Sequence, residues 1–184
     1  MHCLLRWLSV AIALGLLVGC GGPDFEPPQE APAQWQKAMR EEAPGGWVVW
    51  GYGTAPGEAS LAGGRSRADS RARSHLAERV DSRLKYVGER LIERLSGKGD
   101  KDLEKTDIRA VIQRAGEIAV NSALVRRRER DDEGAWHALA RTRLRPALEE
   151  AVRNRGLPKG AGQRLMAEAD RILRAESPNG QGAQ

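Results

Sequence analysis

Between Glu58 and Leu95 the apolar residues Ala68, Ala72, Leu76, Val80, Leu84, Val87, Leu91 and Leu95 recur at steps of three and four. That spacing gathers side chains on one face of an α-helix. A single rod of this span would measure about 57 Å at 1.5 Å per residue, several times the usual helix, so the rest of the chain must pack around it. Each four-residue step overshoots the 3.6-residue period by about 40°, which turns the Ala-rich first half and the Leu-rich second half toward different directions. The Ala68/Ala72 half is expected to lie on a sheet. The Val80–Leu95 half is expected to pair with the next helix, after a bend near Gly88 and before a stop at Gly97 and Gly99.

The remaining elements follow from local pattern. Trp47 to Gly53 is rich in β-branched and aromatic residues and reads as a strand. Val48, Trp50 and Tyr52 share one face, and Gly51 and Gly53 on the other would admit a neighbouring backbone. Ile108, Val111, Ile112, Ala115, Ile118 and Ala119 mark a second amphipathic helix, partner to the first. Residues 123–130 and 135–144 read as a hairpin across Asp131-Asp132-Glu133-Gly134. Pro146 suits the first turn of a helix that stops at Gly156, and a last helix fits Gly160 to Ala175. The expected architecture is α+β: a small three-stranded, mostly antiparallel sheet covered on one face by the long helix and its partner, with two C-terminal helices.

The N-terminus carries a different signal. Arg6 precedes an apolar run from Trp7 to Val18, too short for a membrane span of roughly 20 residues, and the run ends in Leu17-Val18-Gly19-Cys20. This is a lipobox pattern, so residues 1–19 are expected to be a removable leader and Cys20 the acylated first residue of the mature chain. Several acyl chains on one cysteine anchor a protein stably where a single chain does so marginally. Gly21 in place of Asp after the cysteine favours the outer membrane. Residues 20–44 are rich in Pro, Glu, Gln and Ala and read as a flexible tether reaching up to roughly 70 Å. Trp35 and Met39 within it stand one helical turn apart, a spacing that lets both dock on the domain. Residues 45–144 form the expected α+β lipoprotein domain, 145–175 a C-terminal helical extension and 176–184 a disordered tail.

Both cysteines belong to this N-terminal region: Cys3 leaves with the leader and Cys20 takes the lipid, so neither a disulfide nor a thiol nucleophile is expected in the domain. With 30 Lys and Arg against 25 Asp and Glu, loss of Arg6 leaves 29 basic residues and a net charge of +4. In the cytosol such an Arg-rich surface would suit nucleic acid; outside it the polyanions are lipid phosphates, lipopolysaccharide and cell-wall polymers, and no nucleic acid is expected.

No catalytic pattern emerges. His75 and His137 sit on different elements without metal-ligand spacing, so neither metal nor cofactor is expected. Ser66, Ser70 and Ser74 ahead of His75 form a helical stripe, and the chain has no G-x-S-x-G elbow. Gly51-Tyr52-Gly53 has its next glycine at Gly57 and no parallel βαβ unit behind it, unlike a dinucleotide fingerprint. Glu78, Glu89, Glu93, Glu149, Glu150 and Glu168 stand among arginines at helical spacing, as on a solvated, salt-bridged face. One constellation invites a binding role. Arg126, Arg128 and Arg130 alternate on the first hairpin strand, opposite His137, Arg141 and Arg143. If the helices cover the Trp136 side, these six share the other sheet face with Trp50 and Tyr52 and could meet an anionic envelope polymer or an acidic protein.

Pro32-Ala33-Gln34-Trp35, the strand ending Gly51-Tyr52-Gly53, the Ala68/Ala72 helix and the Asp131, Gly134, Trp136 hairpin, taken in this order behind the lipobox, resemble the LPP twenty lipoprotein family, which includes FlgP-type flagellar outer-membrane lipoproteins. The resemblance spans Pro32 to Leu144. It implies an α+β domain without catalytic activity and a structural role in the envelope, in some members around the flagellar motor. The expected function is a membrane-anchored scaffold, assembly or partner-binding lipoprotein that contacts envelope proteins and can form a homo-oligomer. The competing readings are a lipoprotein activator of cell-wall synthesis and, less favoured, an envelope hydrolase.

Overall fold

Glycines at alternate positions of the first strand decide how the layers stack. In the computed structural model, which describes residues 28, 30–42, 44–57, 60–96, 103–158 and 160–175, β1 runs over Val48–Ala55 and α2 over Leu61–Ser96. A Cβ on Gly51 would overlap the Ala72 carbonyl and the Leu76 backbone nitrogen, and one on Gly53 would overlap backbone atoms of Ala68 and Ala72. The helix therefore lies directly on the strand backbone, which is why its contacting residues are alanines, both at most 1 % exposed.

The sheet has the order β1-β3-β2 and is antiparallel throughout. A hairpin supplies β2, Leu124–Arg130, and β3, Trp136–Arg143. Small residues again permit close packing, since Ala138 and Ala140 of β3 are fully buried on the α2 side. Helix α3, Lys105–Asn121, runs back along the second half of α2, and Thr142 Oγ1 ties the sheet to its end by donating to the Ala119 carbonyl at 2.7 Å. Then come α4, Leu144–Arg155, which packs on α3, and α5, Ala161–Ala175, which packs on α2 and on the turn Pro44–Gly46 ahead of β1.

Three expectations change. Helix α2 is one 36-residue segment, about 54 Å long, and passes through Gly88 without interruption. Gly88 instead marks close contact, because a Cβ there would stand 3.2 Å from Ile112 of α3. The C-terminal helices are no appendage: Leu144, Leu148, Leu165, Ile172 and Leu173 join the same core as Val49, Leu76 and Ile108. Finally, residues Ala33–Glu42 of the expected tether form α1, which covers the second sheet face, so the sheet is enclosed on both sides.

Two buried charges hold the layers in register. Arg83, 2 % exposed, donates through Nη1 to the carbonyls of Gly46 at 3.1 Å and Val48 at 2.8 Å, fastening α2 to the start of β1. Glu168, expected on a solvated face, is 7 % exposed. Arg94 of α2 at 2.8 Å and Arg171 at 2.9 Å donate to its carboxylate and hold it below the usual range for Glu, so the charge is buried with its partners.

The glycine contact makes a graded test. Gly51→Ala is expected to cost about 3 kcal/mol, a fall in Tm of roughly 6–12 °C for a domain of this size, because rigid backbone occupies the space. Gly116→Ala, whose Cβ would sit 3.6 Å from Leu84 Cδ1 inside α3, is expected to raise Tm by about 2 °C. Thermal denaturation followed by circular dichroism checks both; equal effects would show that the helix does not rest on the strand backbone.

Candidate functional site

On the outer face of the sheet, Val48, Trp50 and Tyr52 of β1 stand beside Arg143, Arg141 and Leu139 of β3, as their pairing dictates. Helix α1 lies over them. Trp35 and Met39 are fully buried and, with Ala31, Trp50, Tyr52 and Leu139, form a second apolar cluster. The Trp35 ring meets Tyr52 edge to face at 6.4 Å, and its Nε1 donates to Glu129 at 3.1 Å. Arg141 stacks over Trp50 at 5.4 Å and bonds Glu42 at the end of α1 at 2.6 Å. The aromatic residues expected to face a partner therefore face α1: Trp50 is 6 % and Tyr52 9 % exposed. Burial leaves Trp50 Nε1 without a hydrogen-bond partner, a local cost the packing offsets.

The six expected basic groups do not share that face. A β-bulge between Val125 and Arg127 inserts Arg126 and reverses the alternation of β2. Beyond it, Arg128 pairs with Ala138 and Arg130 with Trp136, which places both on the α2 side. Arg128 there binds Asp69 of α2 in bidentate fashion at 2.8 and 3.0 Å, and Arg130 donates to the Gly134 carbonyl at 3.0 Å. Arg127 and Glu129 take the outer positions instead, with Arg127 over Trp35 at 5.2 Å. Of the expected set, His137, Arg141 and Arg143 remain on the outer face with Trp50 and Tyr52; Arg126 and Arg143 are exposed.

His137 occupies the centre of a short relay. Its ring stacks on Tyr52, Nδ1 lies 2.6 Å from the Tyr52 hydroxyl and Nε2 lies 2.8 Å from Asp131. A neutral ring protonated at Nε2 satisfies both contacts, with the phenol as donor to Nδ1. Asp131 also closes the hairpin by accepting from the Ala135 backbone N–H at 2.7 Å. The hydrogen bond from His137 is the main reason that its carboxyl lies below the usual range for Asp, and burial raises the Tyr52 phenol. The relay fixes the hairpin turn to β1. His75 is similarly engaged, its Nδ1 lying 3.2 Å from the Tyr52 carbonyl oxygen, while Ser66, Ser70 and Ser74 are exposed along α2.

An open apolar surface appears elsewhere, between the second half of α2 and α3. A groove of about 750 Å³ runs between them, floored by Val80, Leu84, Gly88, Ile112, Gly116 and Val120. Its α2 edge carries Asp81, Lys85 and Glu89, and its α3 edge Arg109, Gln113 and Glu117. The sequence holds little signal for it: Ile112, half-buried on its floor, belongs to the same apolar stripe of α3 as the buried Ile108, Val111 and Ala115.

Among the described residues no cluster of three or more His, Cys, Asp or Glu side chains could hold a metal ion, and no helix is long and apolar enough to cross a membrane. Leu17, Val18, Gly19 and Cys20 lie outside the described residues, as does the tail from 176 to 184. Comparison with known protein families and with curated proteins finds no match.

Trp35→Ala is expected to release α1, seen as protease cleavage between α1 and β1 with the remaining domain intact; continued protection would show that α1 does not depend on this anchor. The relay predicts a pH effect. The stabilisation from Asp131 is complete above the ordinary aspartate pKa of about 3.8 and is lost as the pH falls through its lower value in the folded protein. Asp131→Asn should flatten the decline of Tm below about pH 4, and an unchanged acid limb would remove Asp131 from the account.

Proposed function

We propose that this chain is a lipid-anchored protein of the bacterial outer membrane that acts as a non-catalytic scaffold and partner-binding module, as its resemblance to LPP twenty lipoproteins implies, with a place among flagellum-associated members of that group. The observation that carries the partner-binding part of this reading is the open groove between α2 and α3, while the anchor rests on the lipobox pattern Leu17-Val18-Gly19-Cys20. Both sheet faces are committed to the protein's own helices, yet this surface leaves isoleucine, valine and glycine accessible beside alternating charges. Such a combination favours a macromolecular partner over a small polar substrate.

For a chain anchored at Cys20, the attachment of α1 shortens the reach of the tether. With Ala31 already packed on the sheet, the chain from Cys20 to that point spans at most about 40 Å at 3.3–3.6 Å per residue, in place of the roughly 70 Å of a tether running to Pro44. The module would stand close to its bilayer, and its basic surface would lie near lipid phosphates.

Two measurements test the reading. Growth with a clickable fatty acid should label the wild-type chain and leave Cys20→Ala unlabelled; equal labelling would end the anchor assignment. A photoreactive benzoylphenylalanine in place of Gln113, irradiated in intact cells, should shift the chain to a larger cross-linked species, and an unshifted band would remove the groove as a contact surface.

A further inference from the structure

We infer that β2 is a docking edge for an extended acidic segment of another protein, which adds to the sheet as a fourth strand. The inference goes beyond the groove between α2 and α3 and does not depend on it.

The strand order β1-β3-β2 leaves two edges, and the protein treats them differently. Along β1 the outward carbonyls are taken by side chains that follow one another at multiples of four residues on α2. Arg71 donates to the Thr54 oxygen at 2.5 Å, His75 Nδ1 lies 3.2 Å from the Tyr52 oxygen and Arg83 donates to the Val48 oxygen at 2.8 Å. A strand could add there only by displacing that row. Along β2 every residue from Arg126 to Arg130 is exposed, and among the described residues no side chain caps the backbone of this stretch.

The hairpin shows which backbone groups are open. The Asp131 N–H bonds the Ala135 carbonyl across the turn at 3.0 Å, so by the alternation of an antiparallel pair Arg128 and Arg130 direct their N–H and C=O groups away from β3. The bulge lies upstream, between Val125 and Arg127, and Arg127 to Arg130 pair with β3 in unbroken register. This regular stretch can therefore serve as a template for a further strand.

Charge selects the kind of strand. Residues Arg126 to Arg130 comprise four arginines and Glu129. Asp69 neutralises Arg128, and its bidentate seating shows that a carboxylate fits beside this strand. Arg127 stacks over Trp35 and Arg130 donates to the Gly134 carbonyl, contacts that orient a guanidinium without neutralising it, and Arg126 is exposed. A second β2 would set arginine against arginine, so the edge repels its own copy. The chain's own N-terminal segment carries Asp24 and Glu26, but Pro23, Pro27 and Pro28 interrupt it and remove the N–H groups a ladder needs. An acidic strand from another protein satisfies both the backbone and the arginines.

Fluorescence anisotropy on the full chain in detergent, with the labelled peptide Glu-Thr-Glu-Val-Glu-Thr-Glu, tests this. The peptide should bind, and its counterpart Lys-Thr-Lys-Val-Lys-Thr-Lys should not. Arg126→Gln/Arg127→Gln, altered only at exposed positions, should weaken binding roughly tenfold. N-methylation of the peptide supplies a readout that leaves the protein untouched. Methyl groups on the Glu nitrogens and those on the Thr and Val nitrogens fall on opposite edges of an added strand, so one set should abolish binding while the other changes it by no more than about threefold. Equal effects of the two sets would mean attraction of charge without strand addition and would overturn the inference, as would an absence of binding. A chain that sediments as a dimer and returns to monomer on peptide addition would put a second copy on the edge and overturn it too. None of these outcomes alters what the Cys20 and Gln113 measurements decide.

Discussion

The direct seating of α2 on the backbone of β1 is the contact on which the rest of the domain depends. Two glycines in the strand and two alanines in the helix remove the side-chain layer that normally separates helix from sheet. Several consequences follow from that closeness. The Ala138 and Ala140 positions of β3 must also be small, because the same helix passes over them. The larger side chains of the strand are confined to its opposite face, where they need a cover of their own, and α1 with Trp35 and Met39 provides it. The two apolar clusters are thus products of one alternation: glycine inward, aromatic outward.

Such a core leaves little tolerance for unpaired charge, and the protein places its buried ionic groups where elements join. Arg83 holds the carbonyls at the entry to β1, and Glu168 joins α5 to α2 through Arg94. These bonds orient more than they stabilise, since transferring a charge from water offsets much of what a pair regains. Their effect is to select one seating of α2 among the several that a long alanine-rich stripe would allow.

Much of this was legible in residue spacing. The division of α2 into an alanine half on the sheet and a leucine half on α3 followed from the drift of four-residue steps, and the strand, hairpin and C-terminal helices from turn residues and apolar period. What was not legible depended on contacts distant in sequence. Ten residues in a Pro- and Glu-rich stretch gain helical structure only because the sheet receives Trp35 and Met39. The bulge that admits Arg126 leaves no mark in a run of arginines, yet it transfers Arg128 and Arg130 to the other side of the sheet and so divides the basic face that strict alternation implied. Glu168 looked solvated because its partner Arg94 lies 74 residues away. The groove escaped notice for the converse reason: its small residues resemble packing residues, and only the placement of the neighbouring helices reveals that nothing covers them among the described residues.

The unbroken course of α2 has a mechanical meaning. A hinge at Gly88 would have let the leucine-rich end swivel while the alanine-rich end stayed fixed to the strands. As a single stiff spar it makes the domain a lever: any load applied to the far end, by whatever docks there, is delivered along the axis to the sheet and, through the sheet, to the short helix next to the N-terminal region.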